Sequence, residues 1–586
     1  MARLAAGGAP PRGSNRLLSV IAAGSMLIGA RDVWYRTVVD QDHHAELLLA
    51  YYGALLVLAV LALTVRTARA MLAVDAAMLT AAAAECVNRL TVVTPARSPD
   101  AAGAWSMTDE GALVHMAART LLQGRPIYGT HWPQIFTLFH AGPTPLMSGG
   151  AVTSLDYPPL GPLLTAVPMA LGLPHPPGAV AATAMLLAAA AVMFVLMPAP
   201  WRPVALITCF GAGVLPGYAL LGYPGVMELP FLIAAVAYWP RTGQGGRLGR
   251  AGVLRAGCLG AAACLHQLSW FLAPFLVAGV FLVRRGELPQ RQALAVTARY
   301  AAVAAAVFLA VNAPFAAQGP GNWLGGVLAP MTQEAVPTGE GLIGIATYFT
   351  AGSGALRLYS VAGLLLGAGL LGLMVLLPRR LALAAPVLPW LVFYLSLRSQ
   401  QDYFDLTVPL WVTAAATVRI SDLDRAAQWR PALLRTRARR ALAVPVLLAP
   451  AALCLAVAIG TPPPLRMAVT ALTASGGGRG ALTPSGIPQR GLTSLTVRVT
   501  NTSSTPLGPH FATSTGPVAS AYWTVVSGPA LLPPGRSAVY VLRAPGGAGV
   551  RGPRPGGRLI LRAFTPAPMT LSSRLVGIGA GAGAGR

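Results

Sequence analysis

The chain has 586 residues, 55% of them hydrophobic and 10% charged, with a formal net charge of +25 carried on arginine. A soluble chain of this size would carry roughly a quarter charged residues, so a soluble globular enzyme is excluded. The arginines fall in short intervals between apolar runs rather than on one polar face, which excludes a nucleic-acid-binding protein.

Runs of about 18–20 apolar residues recur along most of the length, the pattern of a polytopic α-helical membrane protein. After a polar, Arg-bearing start, a signal-anchor-like span without a cleavage site is expected near 16–31. Spans follow near 46–65 and 70–89, and Arg66 and Arg69 place the turn between them in the cytoplasm. Residues 90–177 then form an external loop. Spans near 178–198, 203–221 and 226–240, a tight hairpin over 252–284 turning at His266 and Gln267, and a span at 294–316 keep Arg202, Arg241, Arg255, Arg284 and Arg291 inside. A second external loop covers 317–355. Spans near 356–377, 381–397 and 406–418 hold Arg379 and Arg380 inside and the turn 398–405 outside. An Arg-rich cytoplasmic segment, 419–440, precedes a last span at 441–460. The expected count is about thirteen, with the N-terminus inside and the C-terminus outside. Residues 158–173 are apolar enough for a short span, but counting it would put every later arginine cluster outside. It reads as an interfacial or re-entrant helix. The five cysteines all lie in apolar runs without ligand spacing and read as small buried hydrophobes.

Residues 461–572 change character: long apolar runs give way to alternating segments, as at Leu495, Val497 and Val499, separated by turn signals. This predicts a small extracytoplasmic β-sandwich, followed by a disordered Gly/Ala tail over 573–586. Tyr522, Trp523, Tyr540 and His510 could form a carbohydrate-stacking face or a core, and Asn501-Thr502-Ser503 fits a glycosylation sequon in a plain turn.

The chemistry is expected in the first external loop. Asp109 and Glu110 open a short amphipathic helix that Gly124 stops. They serve as favourable charges at a helix N-terminus capped by Thr108, or as a general base at the membrane surface; the two roles are compatible. Asp75 and Glu85 lie inside a predicted span, where carboxylates are costly and suggest function, such as proton relay in a transporter.

The motifs ARTLLQGRPIY (118–128) and DYPPL (156–160), the hairpin CLHQLSWFLAPF (264–275), and the NAPF and WLGGVLAP segments within 312–330 resemble the GT-C-fold glycosyltransferases. The likeness is to their polyprenyl-phosphate-mannose-dependent, mannosyltransferase-like actinobacterial branch, and covers about residues 70–420. The resemblance implies a GT-C-like transmembrane catalytic domain over 1–460 in the plasma (inner) membrane. It implies a polyprenyl-phosphate sugar donor, mannose or arabinose, and an envelope glycan or glycolipid acceptor. It makes Asp109 the catalytic base, with inversion at the anomeric carbon. Donor or acceptor contacts are expected from Glu110, Tyr128, Asp156, Tyr157, His266, Gln267, Glu334, Arg398, Gln401, Asp402 and Tyr403, with His266 and Arg398 as holders of the departing phosphate. Glu334 and Glu340 sit in the second external loop, as solvated residues or part of an acceptor lid. Whether Glu110 assists the base, orients the acceptor or holds a divalent metal ion stays open. A secondary transporter and a non-catalytic envelope scaffold are the rival classes.

Overall fold

The computed structural model describes residues 13–31, 33–34, 45–93, 107–139, 141–424, 426–427, 437–474, 491–515, 519–545, 550 and 558–576. Among these, eight helical segments are long and apolar enough to cross a membrane: Ala45–Thr64, Ala68–Thr91, Pro177–Leu196, Ala199–Leu220, Leu268–Arg285, Gln290–Gln318, Arg357–Leu376 and Leu442–Gly460. The other expected spans are also helical, but shorter or broken. Gly13–Gly29, Pro224–Val236, Gly249–Ala263 and Val408–Thr417 are single short helices. The stretch expected at 381–397 is a chain of short turns ending in the helix Leu391–Leu395. Pro386 and Pro389 interrupt it, because proline removes an amide donor and clashes with the preceding turn.

One long segment is bent by packing. Within Ala199–Leu220 the helix breaks at Gly211–Gly213, where Ala212 and Gly213 both have positive φ. A Cβ on Gly213 would lie 2.6 Å from the carbonyl oxygen of Gly29. The break lets the first helix approach backbone to backbone. The carboxylates of the third helix serve the same bundle. Asp75 is buried and accepts hydrogen bonds from Ser19 Oγ (2.6 Å) and Asn15 Nδ2 (3.5 Å). Glu85 pairs with Arg89 at 3.3 Å, and Arg89 Nη2 donates to the Gly29 carbonyl at 2.8 Å.

At one end of the bundle the two long loops form a compact layer. The helix Asp109–Leu122 begins at Thr108, whose Oγ1 accepts from the Gly111 amide (2.9 Å), and stops before Gly124 at φ 69°. Its base lies on the turn after the broken helix: a Cβ on Gly111 would sit 2.7 Å from the Leu221 carbonyl. The segment expected as interfacial forms the 11-residue helix Leu160–Ala170, at about 1.5 Å per residue too short to cross a bilayer. Its first amide donates to the Cys264 carbonyl (3.0 Å), pinning it to the hairpin turn. The second loop carries the helix Pro320–Thr332 and then Thr338–Gly339, which pairs in parallel with Arg398–Ser399.

The C-terminal region is β-rich. One sheet orders the strands Leu465–Ala474, Leu492–Asn501, Ser537–Arg543 and Thr524–Ser527 side by side. The other orders Gly352–Ser353, Thr570–Leu575, Ile560–Thr565 and His510–Ser514, so the second loop lends the C-terminal region an edge strand. Leu495, Val497, Phe511, Trp523, Tyr540 and Leu561 share one apolar core drawn from both sheets. Trp523 and Tyr540 are thus core residues, and the indole of Trp523 donates to Thr513 Oγ1 at 3.0 Å. Asn501 is buried, its amide donating to the Thr505 and Leu532 carbonyls (2.7 and 2.9 Å), so the sequon is a turn lock. The last strand runs through Leu575, into the segment expected as a tail; Leu571 is buried and its strand is paired on both sides. The rest of that tail, 577–586, and residues 425 and 428–436 of the arginine-rich segment 419–440 lie outside the described residues.

Candidate active site

Arg398 organises the site. It sits on the short strand that Thr338–Gly339 pairs with, and the carbonyl of its neighbour Ser399 accepts from the Glu340 amide at 2.7 Å. Among the described residues its guanidinium makes one long hydrogen bond, Nη2 to Thr144 Oγ1 at 3.4 Å, and its buried Nε has no partner. Burial works against the charge, but Tyr403, Glu110, Tyr157 and Asp109 around it more than compensate and its pKa is raised. A guanidinium so placed is always charged and has donors to spare.

Four carboxyl groups interact with it, those of Asp109, Glu110, Asp156 and Asp402. Asp109 and Glu110, on the first turn of the loop helix, are hydrogen-bonded to each other. Burial, then the charge of Asp109 and that shared hydrogen bond, push the Glu110 pKa well up, while Arg398 pulls the other way. These surroundings favour the protonated form of Glu110. Asp156 is buried and comes from the far side of the same loop. Its Oδ2 accepts from Gln333 Nε2 at 3.1 Å, and its Oδ1 has no partner. Burial raises it to about 6; the Gln333 hydrogen bond and Arg398 oppose this, and the charge of Asp109 adds to it.

The remaining predicted residues divide into those that face this cluster and those that hold its walls. His266, expected to be a cation, sits where burial favours the neutral imidazole. It is buried, stacked on Tyr157 with centroids 5.1 Å apart, and its Nδ1 accepts from the Leu268 amide at 3.2 Å. Burial lowers its pKa to about 3, because nothing nearby offsets the cost of an imidazolium. Gln267 clamps the loop: its Nε2 donates to the Asp156 and Val327 carbonyls, both at 2.8 Å, leaving its buried Oε1 without a partner. Tyr128 spends its hydroxyl on the Tyr157 carbonyl (2.8 Å) and packs against Phe315, a wall residue. Burial raises the Asp402 carboxyl, and a hydrogen bond from Tyr223 opposes it. Tyr403 packs edge-on against Phe393 and lies beside Arg398. Gln401 and Glu340 are exposed at the rim. Glu334 acts through its backbone, with φ 54° and its carbonyl accepting from the Met147 amide at 2.9 Å.

Thr144, Gln333, Tyr223 and Ser399 join the site without any signal in the sequence. Glu228 is a further buried carboxyl, one of whose oxygens has no partner, on the short helix Pro224–Val236. Among the described residues no group of three His, Cys, Asp or Glu side chains is arranged to hold a metal ion. A cavity of about 660 Å³ opens elsewhere, where the last apolar helix meets the C-terminal region, and none of the predicted site residues lines it. Compared with protein-family models, curated proteins and solved structures, the chain matches none.

Proposed function

We propose that this protein is a GT-C-like membrane glycosyltransferase that moves a sugar, mannose or arabinose, from a polyprenyl phosphate to an envelope glycan or glycolipid. The observation that carries the reading is the meeting of an obligate cation with unused donors, Arg398, and two adjacent carboxyl groups, Asp109 and Glu110. In this reading the acceptor hydroxyl gives its proton to Asp109 as its oxygen bonds to the anomeric carbon. The bond from that carbon to the phosphate oxygen breaks, and the phosphate leaves with the electron pair toward Arg398. A phosphate leaving group needs no general acid, so one base and one cation suffice, and a single displacement inverts the anomeric centre.

The arginine clusters between spans support placing this loop layer outside the plasma membrane, with about thirteen segments inserted and the β-region as an extracytoplasmic sandwich. The transporter reading is weaker. Asp75 is already hydrogen-bonded by Ser19 and Asn15, and Glu85 is paired with Arg89, as structural groups in a bundle are. The test is transfer in membranes from labelled polyprenyl-phosphate mannose and arabinose, with product analysis. The native protein should transfer one of them with inversion. Transfer undiminished in Asp109→Asn, or cytoplasmic labelling of a cysteine placed at 109, would overturn the reading.

A further inference from the structure

We propose that the 660 Å³ cavity below the C-terminal region is a binding site for the phosphodiester headgroup of an anionic lipid. The inference does not depend on the transfer reading. The cavity begins where the helix Leu442–Gly460 ends: Thr461 and Pro462–Pro464 line it, with Gly354 from the start of the neighbouring span Arg357–Leu376. It therefore lies at the level where a bilayer passes from tails to headgroups. Two arginines on different strands also line it, Arg466 and Arg574. Both are exposed, and among the described residues no carboxylate pairs with either. Residues 461–586 contain twelve arginines and no aspartate or glutamate. No side chain of this region carries a negative charge to offset them.

One hydroxyl in the cavity suits the same ligand: among the described residues Ser573 Oγ is buried without a partner. Arginine and hydroxyl donors recognise phosphate oxygens through charge-assisted hydrogen bonds. The surface beneath completes a lipid site. The helix leading into the cavity is largely unburied by protein, with Leu453 67% and Val457 45% exposed. That apolar face takes acyl chains while the headgroup enters the cavity.

The full-length protein in detergent micelles can be titrated with phosphatidylglycerol and with phosphatidylcholine of the same chains, counting bound lipid by native mass spectrometry. Phosphatidylglycerol should bind about tenfold more tightly or better, and Arg466→Gln and Arg574→Gln should each weaken it about fivefold. The double Arg→Lys variant should keep the preference, since the charge is retained. Arg543→Gln, an exposed arginine on the same sheet as Arg466 that does not line the cavity, should change nothing. The soluble headgroup glycerophosphoglycerol should compete poorly, because it lacks the chains that lie on the helix. Equal affinity for the two lipids, wild-type binding by both Gln variants, or an equal loss in Arg543→Gln would overturn the site. Competition by the soluble headgroup as strong as by the lipid would overturn the lipid source.

Discussion

At the Asp109–Glu110 pair the two acids are neighbours in sequence and unequal in chemistry. Burial and the Asp109 charge favour the protonated form of Glu110, so under the proposed function a neutral amide should replace it with little loss, whereas Asp109 is the proposed base. Glu110→Gln is expected to keep transfer within a few-fold, and Asp109→Asn to lose about 100-fold or more, the usual worth of a positioned base. A loss in Glu110→Gln larger than in Asp109→Asn would mean that Glu110 is the base. Asp156 gives a pH signature. Its folded pKa is about 6 against 3.8 for the free side chain, so the folded state binds this proton more tightly than the unfolded chain. The stability this contributes is complete below roughly pH 4 and is lost as pH rises through about 6. Asp156→Asn keeps an oxygen for Gln333 and removes the ionisation. The variant should match the native protein at pH 4 and exceed it at pH 8 by up to about 3 kcal/mol. Thermal unfolding in detergent across that range reads the difference, and a difference that does not vary with pH would show that Asp156 ionises freely.

The elements that bring these side chains together were legible to different degrees. The long apolar helices follow from hydropathy, because a bilayer leaves a helix as the only way to satisfy an isolated backbone segment. The start of the loop helix follows from Thr108 and the two acids after it, which cap a helix in any context. The meeting of Asp109, Asp156, Gln333 and Arg398 does not follow, since it is made by loop pairings such as Leu146 with Ala335 and Thr338 with Arg398. Such pairings depend on register between distant segments, and no local periodicity records them. The surroundings of His266 are not local either: it is buried and stacked on Tyr157, which comes from a different loop. The strand carrying Arg398 is held closely. Gly339 has φ 116°, and a Cβ there would collide with the Ser399 carbonyl. Gly339→Ala should push that strand out of register and lower transfer about 10–100-fold while the protein still inserts, as expected when a catalytic group shifts by about 1 Å. Unchanged transfer would show that the strand pairing does not position Arg398.

At the scale of the whole molecule, the C-terminal region is built into the loop layer rather than tethered to it. Gly352–Ser353 is a strand of its sheet, Tyr522 donates to the Leu146 carbonyl at 2.8 Å, and Arg562 Nη2 donates to the Thr347 carbonyl at 3.1 Å. Met147, Val336, Ile343, Phe564 and Leu571 form one buried apolar junction between them. This junction touches the same segments that pair to place Arg398: residues 145–147 bond to 334–336, and 338–339 to 398–399. A defect in the β-region should therefore be felt in the site. Phe564 is fully buried at the junction and meets Tyr522 edge-on at 6.1 Å. Phe564→Ala leaves a cavity there and should cost about 3–5 kcal/mol. If the β-region and the loop layer form one cooperative unit, the variant should show both a lower thermal midpoint and reduced transfer, with faster protease cutting between 334 and 356. If the β-region is a passive appendage, it should unfold alone, and transfer and the cutting of that loop should stay at native levels. The two outcomes separate because the loop segments that face Phe564 are continuous in hydrogen bonding with the strand that presents the guanidinium.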